Sequence, residues 1–78
     1  MEREVRWVKG VRGLTPMRRE IEVSMKYVDG VPTDKVMRYI SKRSGRSLTM
    51  YYSPQVSLRE ALIMADFRID EFESERRK

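Results

Sequence analysis

Neither cysteine nor histidine occurs in this 78-residue chain. Without cysteine there is no disulfide and no thiolate metal site, and without histidine zinc loses its usual ligand set. The commonest general base and the commonest nucleophile are also missing, so an enzyme is not expected. Glycine and proline are scarce, at 4 and 3 residues, and no apolar run approaches the length of a membrane span. Met1 is followed by Glu2, Arg3 and Glu4 with no apolar stretch after them, so no secretory signal is expected and the location is read as cytoplasmic. A chain this short leaves room for one domain, 1–78, burying roughly 60% of its unfolded surface, so apolar packing must support it, with or without self-association.

Charge is the most informative thing present. The chain carries 17 Lys or Arg against 12 Asp or Glu, a net charge of +5. Residues 1–54 hold twelve basic and six acidic residues, whereas 55–78 hold five and six. Lys35, Arg38, Lys42, Arg43 and Arg46 follow one another with no acid between them. Twelve of the 17 basic residues are Arg, which suits bidentate contact with phosphate or carboxylate. A basic patch on a near-neutral scaffold is the electrostatic footprint of a polyanion binder, set against the blander reading of a solvated face.

Alternation marks the strands. Residues 4–9 place Val5 and Trp7 on one face and Arg6 and Val8 on the other; sharing a face with Val5 assigns Trp7 to the core. Residues 19–28 alternate Ile21, Val23, Met25 and Tyr27 with Glu20, Glu22, Ser24 and Lys26, one face on the core and one in water. These two segments are expected to pair as an antiparallel hairpin. Residues 47–53 read as a further strand, ended by Pro54.

Residues 33–44 fit two descriptions. As a helix they have Thr33 as N-cap, Asp34 in the first turn, Lys42 and Arg43 in the last, and Gly45 just beyond. As a strand they form a hairpin turning at Ser44-Gly45, with Met37 opposite Tyr52 and Tyr39 opposite Met50. Agreement of capping and dipole signals at both ends favours the helix, and hence a ββαβα order. The C-terminal helix is clearer: Ser57 and Glu60 form a capping box, and Leu58, Ala61, Leu62, Ala65, Ile69 and Phe72 make a stripe toward the sheet. Residues 73–78 read as a charged tail that frays. The expected class is α+β, a small antiparallel sheet packed against a long C-terminal helix.

Ile63, Met64 and Phe67 lie on the other side of that helix, and a helix apolar on two faces needs two surfaces to bury against. The second surface is either the N-terminal hairpin of the same chain, a partner protein or a second copy, which would make a homodimer. Asp66, Asp70 and Glu73 recur at spacings of four and three, close enough to hold a divalent ion, but such carboxylates are ordinarily a solvated stripe with pairs such as Glu73–Arg77. No metal and no cofactor is expected.

Gly10-Val11-Arg12-Gly13 is similar to the GXXG loop with which KH domains clamp a nucleic-acid backbone, although it lies between strands here and not between helices. Its basic neighbours Lys9, Arg12, Arg18 and Arg19 form a positive hairpin tip. Trp7, Tyr39, Tyr51 and Tyr52 are the aromatic residues available for stacking, and the hairpin alternative sets Tyr51 beside Arg38 and Lys42. That alternative resembles, at the level of fold alone, the three-stranded sheet and C-terminal helix of small DNA-binding arms of recombinases. The expected function is a regulatory DNA- or RNA-binding protein, contacting phosphates through the 35–46 cluster and the 9–19 tip. The competing expectation is an adaptor or inhibitor acting through Ile63, Met64 and Phe67.

Overall fold

The computed structural model describes residues 3–8, 10 and 12–74. Five strands precede one helix: β1 (Val5–Val8), β2 (Arg12–Leu14), β3 (Glu20–Val28), β4 (Val31–Ile40), β5 (Ser47–Tyr52) and α1 (Leu58–Ser74). All pairings are antiparallel, in the order β1-β3-β4-β5, with β2 continuing the β1 edge alongside β3. The class is α+β, with the helix laid on one face of the sheet.

The helix expected over 33–44 is absent: residues 33–40 belong to β4 and 41–44 to the turn that follows it. Asp29 and Gly30 both have positive φ, 52° and 81°, as the two central residues of a tight hairpin turn require. That turn sends the chain straight back along β3, so Val23 pairs with Met37 and Ser24 with Val36. Tertiary pairing overrides the local capping signals, since a lone helix of this length is marginal in water and a partnered strand is not. The β4–β5 register also differs from the hairpin alternative: Met37 faces Met50, and Tyr39 faces Leu48. The turn spans Ser41 to Arg46, with Gly45 rather than Ser44-Gly45 taking the left-handed conformation, at φ 76°.

Ile21, Met37 and Met50 from the sheet meet Ala61, Ala65 and Ile69 from the helix, and these six form the buried core. The two alanines let the helix backbone approach the sheet closely. Val23, Tyr39, Leu48, Tyr52, Val56 and Leu62 pack around them. Three expectations are corrected at this interface. Leu58, placed in the buried stripe, stands exposed at the start of the helix. Trp7, assigned to the core, is 53% exposed on the face away from the helix, because the Trp7–Lys26 pairing puts it on the polar side of β3. Asp66, placed in a solvated stripe, is buried.

Ser57 caps the helix as expected: Glu60 N–H donates to Ser57 Oγ at 3.1 Å, and the Glu60 carboxylate turns back to accept from the Ser57 hydroxyl and not from its backbone N–H. At the other end Arg43 donates to the Glu73 carbonyl at 3.3 Å, satisfying a helix-terminal acceptor and opposing the dipole. Glu73 and Ser74 belong to the helix, in keeping with an expected end near residue 75; the rest of the charged tail, with Arg77, lies outside the described residues.

Candidate functional site

Two sequence-distant basic groups meet at one end of the sheet. Arg12 on β2 pairs with Glu22 on β3, and Glu22 pairs in turn with Arg38 on β4. The β2–β3 loop brings Arg18 to the same end, and the β4–β5 turn brings Lys42 and Arg43. Together they line an open cleft of about 720 Å³ whose charged side chains are six basic and three acidic, a net of +3.

The members of this set are not equivalent. Arg12, Arg18 and Lys42 are exposed and, among the described residues, enter no salt bridge. Arg38 and Arg43 lie 3.6 Å from Glu22 and 3.4 Å from Glu73, with more than half of each side chain in water, so these pairs are weak and exchangeable. Arg18 has φ 67°, a left-handed conformation imposed by the turn in which Thr15 and Arg19 exchange backbone and side-chain bonds.

Arg19 has a different role. Its guanidinium donates to Asp66 at 3.0 Å and also to Asp70, and these bonds raise its pKa further. Asp66 also accepts from the Met17 backbone N–H at 3.0 Å. Burial pushes the Asp66 carboxyl upward, but the bonds from Thr15, Met17 and Arg19 outweigh it and hold the group below its ordinary value. This cluster ties the β2–β3 loop to the helix. Arg19 is therefore a structural residue in a basic-looking stretch.

Lys35 and Arg46 are also removed from the cleft. Lys35 donates its ammonium to the Val56 carbonyl on the helix side, and Arg46 lies 5.7 Å over the Phe72 ring. Lys9 lies outside the described residues. Glu73 accepts from Tyr39 Oη at 2.6 Å and from Ser41 Oγ at 3.2 Å, with Arg43 beside it. The Tyr39 bond is the main reason its carboxyl lies below the usual range; burial and this same bond raise the Tyr39 hydroxyl. Asp66, Asp70 and Glu73 are thus engaged with cations and hydroxyls, and no group of three metal-ligating side chains occurs among the described residues.

The aromatics divide by face. Tyr39 and Tyr52 pack on the core side, whereas Tyr51, 63% exposed, shares the open face with Trp7, Arg38 and Val36. The association of Tyr51 with Arg38 follows from the strand form of 31–40. Lys42 sits beyond β4, in the turn. Ile63, Met64 and Phe67 are all exposed on the helix, Phe67 by 68%. The GXXG segment does not form a clamp between helices; Gly10 lies at the break between β1 and β2, against the backbone of Val23. Among the described residues no helix is long and apolar enough to cross a membrane.

The chain was compared with family models, with curated proteins and with solved structures, and none of them matches it.

Proposed function

We propose that this chain is a small nucleic-acid-binding protein without catalytic activity, which engages phosphates through the cleft at the turn end of its sheet. The observation that carries this reading is the convergence of Arg12 and Arg18 with Arg38, Lys42 and Arg43, residues far apart in sequence, around one open surface that is still net positive, five cations against three acids, when the paired Arg19 is left out. Arginine forks gathered on one surface suit the phosphates of one backbone. The three acids in the cleft argue against indiscriminate attraction and favour a ligand whose charges fall between them.

Binding to duplex DNA across a salt series tests this. With about five phosphates neutralised, log K is expected to fall against log salt with a slope of about −4 to −5. Arg38→Ala combined with Arg43→Ala should reduce the slope by about 2. Absence of binding to both duplex and single-stranded DNA at low salt, or binding indifferent to salt, would overturn the reading.

A second reading has support of its own in the exposed Ile63, Met64 and Phe67, an apolar surface of a kind monomers seldom keep without use. We propose self-association of two copies through this helix face, which would also fix two basic clefts relative to one polyanion. Sedimentation at micromolar concentration should then show a dimer, and Phe67→Asp a folded monomer. A wild-type chain that stays monomeric at high concentration removes the dimer.

A further inference from the structure

We propose that the face of the sheet opposite the helix is a base-stacking platform for single-stranded nucleic acid; this rests on the phosphate-binding reading above and names its ligand. Strand alternation puts Ile21, Met37 and Met50 toward the helix, and leaves Trp7, Ser24, Val36, Arg38, Thr49 and Tyr51 on the opposite face. Trp7 and Tyr51 are more than half exposed, yet Val36, on the same face, is only 8% exposed. It forms the floor of a depression of about 300 Å³ with the two aromatics at its rim. Trp7 stands on β1 and Tyr51 on β5, three strand spacings or roughly 14 Å apart across the sheet, and offset by two residues along it, since Trp7 is level with Lys26 and Tyr51 with Ser24. That span accommodates roughly two or three unpaired bases, as sheet platforms in other folds do.

The polar groups fit the same ligand. Ser24 and Thr49 offer hydroxyls at the depression to the edges of a bound base. Lys26 Nζ lies 5.8 Å from the Trp7 ring centroid, a cation beside the stacking surface where a backbone phosphate would pass. Arg38 and Glu22 line both the depression and the basic cleft, so the two surfaces are continuous. The platform carries nearly balanced charge while the adjoining cleft is net positive. This division matches a ligand with flat, neutral bases and a charged backbone. A duplex fits less well, because its base faces are already stacked on one another and only edges and phosphates remain to be met.

Trp7 is the sole tryptophan, so its fluorescence reports on the platform directly. The probes are an oligothymidylate of roughly a dozen nucleotides, an abasic strand of the same length, and a duplex of that length. The oligothymidylate should quench Trp7 and bind roughly tenfold more tightly than the abasic strand. Trp7→Ala and Tyr51→Ala should each remove most of that preference while leaving abasic binding unchanged. Both side chains are exposed, so neither variant should unfold, and circular dichroism checks this. Equal affinity for the two strands, an unquenched Trp7, or a preference for duplex would overturn the platform and leave the phosphate cleft standing. A dimer that dissociates in Trp7→Ala would assign the face to a second copy and overturn it too. If no probe binds at low salt, the cleft and the platform fall together.

Discussion

Asp66→Ala is expected to lower the stability of this chain by about 3 kcal/mol, and its melting temperature by roughly 15 °C. The carboxylate is buried and holds two groups at once, the Met17 N–H at 3.0 Å and the Arg19 guanidinium at 3.0 Å. Alanine leaves the part-buried Met17 N–H without its acceptor and the Arg19 guanidinium with Asp70 alone. Both penalties are desolvation costs, larger than the net worth of the bonds themselves. Asp70 is half exposed, so Asp70→Ala should cost about 1 kcal/mol or less although it meets the same arginine. For a chain of 78 residues the total stability is on the order of 4–12 kcal/mol, so the first loss is severe. Urea unfolding followed by circular dichroism measures both; an Asp66→Ala cost below about 1 kcal/mol would show that the loop is held by other contacts.

The same carboxylate sets an acid limit. Asp66 and Glu73 both have folded-state pKa values below their ordinary ones. A depressed carboxylate contributes stability that is complete above its unfolded pKa and is lost as pH falls through the folded value. The wild-type melting temperature should therefore hold near neutrality and fall from about pH 5 downward. Asp66→Ala should flatten part of that fall.

Gly10→Ala is expected to detach the N-terminal edge of the sheet. A β-carbon at this position would sit 1.4 Å from the Val23 carbonyl oxygen and 2.4 Å from its carbon, both backbone atoms that no rotamer change can move. β1 and β2 cannot then both keep their ladders with β3, and the expected cost is about 3 kcal/mol or more. Trp7, carried by β1, should change its fluorescence even where the rest of the chain stays folded. Gly13→Ala is the matching control, because a β-carbon there meets nothing within 4 Å, and the change should stay within about 0.5 kcal/mol. Equal unfolding midpoints for the two variants would mean that the edge strand adjusts without this close approach.

Where reading the sequence failed, long-range pairing was the reason. Thr33, Asp34, Lys42, Arg43 and Gly45 are good helix-end residues in sequence, and they misled because none of them knows that β3 is waiting alongside. The contrary signal was the Asp29-Gly30 pair, whose two positive φ values make the shortest hairpin turn. Trp7 was misplaced because alternation shows that two faces differ without saying which of them the helix covers; the pairing of Trp7 with Lys26 decides that. Arg19 looked like a phosphate ligand since its partners, Asp66 and Asp70, lie 47 and 51 residues away.

The sequence alone determined the strands within residues 4–9, 19–28 and 47–53, each of which the structure trims by a residue or so, the capped helix from Leu58, and the side of that helix that carries Ala61, Ala65 and Ile69. These depend on periodicity and on contacts within four residues, which a linear chain displays openly. It also determined that basic residues crowd the segments on either side of β3. Tertiary structure decided where those cations sit, since Arg19, Lys35 and Arg46 lie against groups on the helix side while Arg12, Arg18 and Lys42 stand at one cleft. It decided as well that Trp7 and Tyr51 share an open face around Val36. Cross-strand register fixes such neighbourhoods, and register is a relation between distant segments: a slip of one residue would have sent Tyr51 to the core and Tyr52 to the open face.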